Sequence, residues 1–203
     1  MKEPIKLVIA GVGGQGVVYL TNLLVEAALL ADITVGSSEI HGLSQRGGTV
    51  TSSLTFGQNA YGFIDSAEAD YLIGLEALES QRCIPLLHPK SKAIIDNNRI
   101  LPYPVNSQNE IYPETKDLIE YLRKEISEVI FVEELPPGVA NISRNIFIAG
   151  CATVLNGFPL TLAQLEDAVI RVNHKQTVDI SLKVLKSGAV YIESLLKKIN
   201  AGI

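Results

Sequence analysis

Apolar positions follow two spacings along the chain, and the order of these spacings predicts strands that alternate with helices. Residues 5–10 form a short β-rich apolar run, residues 11–16 are rich in glycine, and residues 17–31 carry apolar side chains at helical spacing. A second strand is predicted at about residues 33–37. Because this short β–α–β spacing requires a crossover connection, we expect the first two strands to be parallel neighbours.

The alternation continues along the chain and then changes. Further strands are predicted at residues 49–56, 71–75, 92–96 and 129–132, and intervening helices at 76–87 and 114–126. Helices alone are predicted at residues 143–155, 161–172 and 177–199, after an irregular, proline-containing excursion at 99–113. The pattern predicts an α/β fold with a mostly parallel Rossmann-like sheet and a helical C-terminal third. No linker divides the 203 residues, so a single domain over 1–203 is expected.

Composition and charge exclude several classes of protein. With 47% hydrophobic and 19% charged residues, the chain is neither disordered nor a coiled coil. A net charge of −5 does not match a general nucleic-acid binder, so we expect no nucleic-acid partner. No apolar run reaches the roughly 18 residues of a membrane span, and the start does not resemble a signal peptide, so a cytoplasmic protein without a membrane partner is expected.

The two cysteines are far apart. Cys83 and Cys151 are 68 positions from each other and form no CxxC pair, which excludes a zinc ribbon or an iron–sulfur cluster held by this chain alone. The sequence therefore predicts no metal site of its own.

The first glycine-rich segment meets the dinucleotide-binding pattern GxGxxG between a predicted strand and a predicted helix. Glycines permit close approach of a ligand, and a helix N-terminus attracts a phosphate. The candidate binding residues of this loop are Gly11, Gly13, Gly14, Gln15 and Gly16. A P-loop would need Lys and Ser or Thr next, where the chain has Val17 and Val18, so Walker-type phosphate transfer is rejected. A tight turn without a ligand is the structural alternative.

A second loop, predicted over residues 38–48, follows strand two at the same carboxyl edge of the sheet, where α/β proteins bind ligands. Its candidate binding residues are Glu39, His41, Gln45, Arg46, Gly47 and Gly48. The Arg46 guanidinium is suited to a phosphate or carboxylate, although a simple pair with Glu39 is the alternative. His41 is more typical of a loop hydrogen-bonding residue than of a general base, so no catalytic residue is assigned.

With both loops in view, the sequence resembles the small, gamma-type subunit of 2-oxoacid:ferredoxin oxidoreductases, most of all the beta subunit of indolepyruvate ferredoxin oxidoreductase. The resemblance runs over nearly the whole chain. It is carried by the glycine segment at 11–16, the Ser-Glu-Ile-His-Gly and Gln-Arg-Gly-Gly runs at 38–42 and 45–48, the Glu-Ala-Asp run at 68–70, Asn141, Asn145, Ala149 and Gly150, and the Lys-Ser-Gly run at 186–188.

This resemblance implies a domain with three α/β/α layers and a division of chemistry between two chains. A catalytic partner subunit would bind thiamine diphosphate, Mg²⁺ and iron–sulfur clusters, decarboxylate a 2-oxo acid, pass electrons to ferredoxin and form an acyl-CoA. The present chain lacks a Gly-Asp-Gly thiamine motif and a cysteine cluster, and is expected to hold none of these cofactors alone. Its two loops would help to bind CoA at a shared site and shape the partner's active site.

Two other functions stay open from the residues alone. One is a free-standing Rossmann-like NAD or FAD oxidoreductase, in which Glu39 at the end of strand two would hold the ribose. The other is a non-enzymatic interaction module whose glycine loops are turns only.

Overall fold

A mixed sheet of six strands is the centre of the structure, a computed structural model that describes residues 3–42, 48–101 and 112–200. The strands within this part are β1 (Ile5–Val12), β2 (Val35–His41), β3 (Thr49–Phe56), β4 (Ala69–Gly74), β5 (Leu87–Asp96) and β6 (Glu128–Val132). Their spatial order is β2-β3-β1-β4-β5-β6. The helices are α1 (Val17–Leu30), α2 (Ala77–Arg82), α3 (Thr115–Glu125), α4 (Arg144–Ala152), α5 (Leu162–Val172) and α6 (Lys175–Asn200).

The predicted mostly parallel α/β sheet is confirmed, but the expected pairing of its first two strands is wrong. Strands β1, β4, β5 and β6 pair in parallel, whereas β3 lies between β1 and β2 and is antiparallel to both. Strand β3 buries Val50, Leu54 and Phe56 and suits a place beside the central strand. Strand β2 has exposed residues at 37–40, so it suits the edge.

Helices cover both faces of the sheet and form the predicted three layers. On one face, Leu7 and Ile9 of β1 share an apolar core with α1, α4, α5 and α6. On the other face, Val8 and Ala10 of the same strand pack with the α3 side chains. Because successive side chains of β1 point to opposite faces of the sheet, this strand contributes to two separate apolar cores.

Two C-terminal glycines allow α4 and α6 to touch through their backbones. A Cβ at Gly150 would overlap the carbonyl oxygen of Leu185, and a Cβ at Gly188 would overlap the carbonyl oxygen of Phe147. These glycines are among the residues that carry the family resemblance, and the structure gives them a packing role.

Several predicted boundaries differ from the observed ones. Strand β2 extends to His41, so the first part of the predicted second loop is strand. The predicted helix 76–87 is divided into α2 and a 3₁₀ turn at Ile84–Leu86, because Pro85 cannot donate a backbone hydrogen bond, and β5 begins at Leu87, not at residue 92. Most of the predicted excursion, residues 102–111, lies outside the described residues.

Candidate functional site

A cleft of about 430 Å³ opens at the carboxyl end of β1, beside the first residues after β4. From β1 the chain runs to β2 and β3 on one side and returns to β4 on the other side. This reversal of strand order is the place where open α/β sheets bind ligands. The described lining residues are Gly13, Gly14, Gln15, Leu75, Asp96, Asn98, Ile100, Asn141, Ile142, Arg144 and Asn145.

Gln15 joins the end of β1 to the residue that follows β4. Its Oε1 accepts a hydrogen bond from the Val12 amide at 2.7 Å, and its Nε2 donates to the Leu75 carbonyl at 2.8 Å. Both amide ends are therefore committed to the backbone. Gln15 is thus a residue that holds the glycine loop in place beneath the cleft.

The glycine loop has a backbone shape that only glycine adopts readily. Gly14 has φ +101° and nothing within 4 Å of the place of a Cβ, so its outer side is open to the cleft. Gly16 has φ +82°, precedes α1, and leaves room for the Asn145 amide, which a Cβ would overlap. A substitution at Gly14 is therefore strained, and one at Gly16 also displaces Asn145.

Two backbone N–H groups of the glycine loop already donate hydrogen bonds within the protein. The Gly13 N–H donates to the Gly48 carbonyl at 2.9 Å, and the Gln15 N–H donates to the Val12 carbonyl at 3.0 Å. A phosphate cradle depends on several backbone amides that point outward together. The loop is consequently better suited to close backbone approach than to enclosing a diphosphate.

A buried ion pair forms another part of the cleft. The Arg144 guanidinium donates from Nε to Asp96 Oδ2 at 2.6 Å and from Nη2 to Oδ1 at 2.7 Å. The Asp96 side chain is 1% exposed and the Arg144 side chain 19%. Hydrogen bonding to Asp96 raises the pKa of Arg144, so the guanidinium stays charged and committed to this carboxylate.

Two asparagines, one shortly before α4 and one in its first turn, complete this side of the cleft. Asn141 Oδ1 accepts from Arg144 Nη1 at 3.2 Å. Asn145 is buried, its Oδ1 accepts from the Ile146 amide at 2.9 Å, and its Nδ2 reaches the Gly16 carbonyl at 3.4 Å. Asn145 therefore satisfies an amide of the first turn of α4 and joins that helix to the glycine loop.

Glu76, the N-cap of α2, fixes the opposite wall. Its buried carboxylate accepts from the Glu79 amide at 2.8 Å, from the Ile100 amide at 3.2 Å and from the Tyr112 hydroxyl. Burial, followed by the hydrogen bond to Glu76, raises the pKa of Tyr112. These bonds hold Ile100 at the cleft.

The structure brings some of the predicted site residues together. Gly13, Gly14 and Gln15 line the cleft, Gly11 and Gly16 lie behind it, and Gly48 reaches the loop through Gly13. Gln45, Arg46 and Gly47 lie outside the described residues, as does the side chain of His41.

Glu39 lies on the edge strand β2, not in a loop. It pairs with Ser52 of β3, which in turn pairs with Ile9 of β1. A ribose-binding acid should end the strand next to the glycine loop, whereas here β3 lies between β2 and β1 and separates them by two strand spacings, about 10 Å. The strand order therefore disfavours the NAD or FAD alternative.

Asp96, Asn98 and Arg144 are cleft residues that sequence reasoning missed. Asp96 carries a recognisable signal, because a carboxylate at the end of the apolar run 93–95 needs a buried partner. Its partner is 48 positions away, and no local pattern connects the two residues.

The described part of the chain contains neither a cluster of metal ligands nor a membrane-spanning helix. No three His, Cys, Asp or Glu side chains there gather in a way that would hold a metal ion. No helix in the same ranges has both the length and the apolarity needed to cross a membrane. Cys83 and Cys151 are both buried, and burial raises the pKa of the Cys83 thiol to about 12.

Comparison with known proteins gives consistent matches. The model of the family described as pyruvate ferredoxin/flavodoxin oxidoreductase matches residues 6–191. The chain is 30% identical to the indolepyruvate oxidoreductase subunit IorB of Methanothermobacter thermautotrophicus over 89% of its own length and 93% of that protein.

Two solved structures share the fold. A keto/oxoacid ferredoxin oxidoreductase gamma subunit from Geobacter sulfurreducens aligns with a TM-score of 0.65 and 17% identity, over 91% of this chain and 95% of that one. A 2-oxoglutarate:ferredoxin oxidoreductase from Magnetococcus marinus, solved with 2-oxoglutarate, coenzyme A and succinyl-CoA bound, aligns with a TM-score of 0.64 and 12% identity over 96% of this chain and 32% of that chain.

Proposed function

This chain belongs to the pyruvate ferredoxin/flavodoxin oxidoreductase family, and we propose that it is the small subunit of a 2-oxoacid:ferredoxin oxidoreductase that acts on aryl 2-oxo acids such as indolepyruvate. The reaction is oxidative decarboxylation of the 2-oxo acid to an acyl-CoA with reduction of ferredoxin. Similarity to IorB subunits over most of the chain supports the aryl substrate. The chain has no activity of its own in this proposal.

The partner subunit supplies the redox chemistry. Thiamine diphosphate with Mg²⁺ and iron–sulfur clusters belong to that chain, because the present sequence has no Gly-Asp-Gly motif and only two cysteines. Cys83 packs on the α3 face of the sheet and Cys151 on the other face, so they do not contribute to one shared cluster.

The cleft at the end of β1 is the observation that carries the CoA role. Its one described cation, Arg144, is already paired with Asp96, which does not favour the phosphates of CoA. Asn98 and Asn141 line the cleft beside the open Gly14 backbone, and carboxamide groups match the two amides of the pantetheine arm. The residues therefore fit the arm that carries the thiol, with the phosphates outside the cleft.

The lining residues have distinct roles in this mode of CoA binding. Gly14 permits the arm to lie against the backbone, and Asn98 and Asn141 orient its amides by hydrogen bonds. Ile100 and the exposed Ile142 exclude water from the thiol end once the partner covers this edge of the sheet.

The partner docks on the carboxyl edge of the sheet. Ile142 is 90% exposed and lines the cleft, and Ile40 near the end of β2 is 67% exposed. Large apolar side chains so exposed at one edge are typical of a protein interface. Docking there would place the partner's active site over the cleft.

The test uses the complex of this chain with its catalytic subunit. Asn141→Ala and Asn98→Ala should each raise the KM for CoA about fivefold to tenfold, because each removes a hydrogen bond to the arm, and should leave the KM for the 2-oxo acid unchanged. Asn22→Ala, at an exposed position on α1, is the matched control. An unchanged KM for CoA in both variants of an intact complex would refute the CoA role. It would favour the alternative in which the chain is a non-enzymatic interaction module.

A further inference from the structure

The direction of the Asn141 carboxamide determines which chemical group of a ligand this residue can bind in the cleft at the carboxyl end of β1. Asn141 Oδ1 accepts a hydrogen bond from Arg144 Nη1 at 3.2 Å. A guanidinium has only donors, so it can be met only by the oxygen end of the carboxamide. The Asn141 nitrogen, with its two N–H groups, is therefore the end that remains for a ligand in the cleft that Asn141 lines.

The local backbone brings these two side chains together. The 3₁₀ turn Asn141–Ser143 directly precedes Arg144, and the Arg144 backbone N–H donates to the Asn141 carbonyl. Side chains at positions i and i+3 of a 3₁₀ helix lie above one another, so the turn places the carboxamide beside the guanidinium.

Asp96 in turn fixes the guanidinium. Both of its oxygens accept from Arg144, Oδ2 from Nε at 2.6 Å and Oδ1 from Nη2 at 2.7 Å. Two parallel hydrogen bonds to one carboxylate hold the guanidinium plane in a single orientation. Arg144 Nη1, which Asp96 does not use, is then directed to Asn141. A chain of contacts thus connects the buried end of β5 to the carboxamide at the cleft.

Other carboxamides of the cleft do not offer the same group. Gln15 has both ends of its carboxamide bonded to backbone groups, and so has Asn145. Asn141 has its oxygen bonded to Arg144, and its nitrogen is a donor that needs an acceptor. Because the charges of Asp96 and Arg144 cancel, this donor favours a neutral acceptor over a phosphate or a carboxylate. The carbonyl oxygen of an amide is such an acceptor.

We propose that Asn141 recognises a carbonyl oxygen of the pantetheine arm of CoA, and that Asp96 and Arg144 are positioning residues that keep the Asn141 nitrogen directed into the cleft. This inference rests on the proposed function and adds the direction of one hydrogen bond, in which the protein donates and the ligand accepts. The 2-oxo acid also carries carbonyl oxygens, and the separate KM values of the two substrates distinguish these sources.

Asn141→Asp tests the direction of this hydrogen bond in the complex with the catalytic subunit. The substitution nearly preserves the shape, and a carboxylate still accepts from Arg144, but an acceptor replaces the donor. The KM for CoA should rise about tenfold or more, at least as far as in Asn141→Ala, with the KM for the 2-oxo acid unchanged. Ser143→Asp adds the same charge two positions away, at the N-cap of α4, and should leave the KM for CoA within about twofold of the wild-type value.

Three results of this experiment would overturn the proposal. A wild-type KM for CoA in Asn141→Asp would mean that Asn141 does not act as a donor. A rise confined to the KM for the 2-oxo acid would assign the carbonyl to that substrate. An equal rise in Ser143→Asp would mean that charge alone causes the effect.

Arg144→Lys tests the positioning role. A lysine keeps a positive charge beside Asp96 but lacks the planar fork that contacts Asp96 and Asn141 together. The KM for CoA should rise about threefold or more with kcat unchanged, and adding Arg144→Lys to Asn141→Ala should cause no further rise, because Arg144 acts through Asn141. Arg171→Lys, at an exposed pair with Glu26, is the matched control and should keep the wild-type KM.

A KM for CoA that is clearly higher in the double variant than in Asn141→Ala would mean that Arg144 has a separate role, and would overturn the positioning role. Melting curves check that each variant is folded. If Arg144→Lys is not folded, Asp96→Asn is the second variant, since a carboxamide offers one oxygen where the carboxylate offered two, and the same lack of a further rise is expected. A raised KM in Asn141→Ala with a wild-type KM in Asn141→Asp overturns this inference only, whereas a wild-type KM in both Asn141→Ala and Asn98→Ala refutes the proposed CoA role itself.

Discussion

Replacement of Arg144 by methionine should strongly destabilise the protein, because it leaves the Asp96 carboxylate buried without a counter-charge. The Asp96 side chain is 1% exposed and accepts two charge-assisted hydrogen bonds of 2.6 and 2.7 Å from Arg144. Loss of one partner of such a pair costs about 3 to 5 kcal/mol. For a chain of this size each kcal/mol lowers the melting temperature by about 2 to 4 °C, so a drop of roughly 6 to 20 °C is expected.

Urea denaturation followed by circular dichroism measures the free energy of unfolding. The matched control is Arg171→Met, because Arg171 pairs with Glu26 at 2.8 Å but is 66% exposed. That exposed pair contributes about 0 to 1 kcal/mol. In the double variant Arg144→Met with Asp96→Asn, the unpaired charge is gone. The decrease in the free energy of unfolding should therefore be smaller than the sum of the decreases in the two single variants.

A loss in Arg144→Met within about 1 kcal/mol of the Arg171→Met loss would refute this reasoning, since the Arg144 pair differs from the Arg171 pair by its burial and by a second hydrogen bond. Strict additivity of the two single variants would also contradict it. Either result would mean that Asp96 is solvated or otherwise paired, and the cleft would then lack the wall described here.

Three further predictions follow from other contacts. Gly150→Ala should lower the free energy of unfolding by about 1 to 3 kcal/mol in denaturant titrations, because its Cβ would overlap the Leu185 carbonyl oxygen, and wild-type stability would contradict the close helix contact. Gln15→Leu removes both hydrogen bonds to Val12 and Leu75 and should cost about 1 to 3 kcal/mol by the same measurement, and a neutral result would show that the loop does not depend on this residue. Burial raises the pKa of Cys83 from 9.0 to about 12, so the folded state holds this proton more tightly, and its contribution to stability is present below pH 9 and lost as the pH rises towards 12. Cys83→Ala should therefore lose less stability than the wild type between pH 8 and about 11, and an equal loss would contradict the shift.

Much of the fold follows from local pattern. Strand β3 was predicted with its observed bounds, because its β-branched and hydroxyl residues end at a clear turn signal. The pairing of β3 with β1 was missed, because a β–α–β spacing does not reveal that a later strand will insert between two earlier ones. Side-chain burial distinguishes the two strands, because β2 has exposed residues at 37–40 and therefore suits the edge of the sheet.

The candidate site, too, could be predicted from the sequence only in part. The glycine loop was predicted from its spacing, since positive φ at Gly14 and Gly16 has a direct sequence signal. The pairing of Asp96 with Arg144 and the contact of Asn145 with Gly16 join segments 48 and 129 positions apart. Such contacts depend on the tertiary fold, and no local pattern identifies them.

The most direct test of the proposed function is reconstitution of 2-oxo-acid-dependent ferredoxin reduction from separate chains. This chain is titrated into the thiamine- and iron–sulfur-containing subunit with indolepyruvate and CoA present, and the rate of ferredoxin reduction is recorded. The account predicts no turnover by this chain alone and a rate that rises to a plateau at a fixed ratio of the two chains. Turnover by this chain alone, or a full rate from the partner without it, would contradict the account.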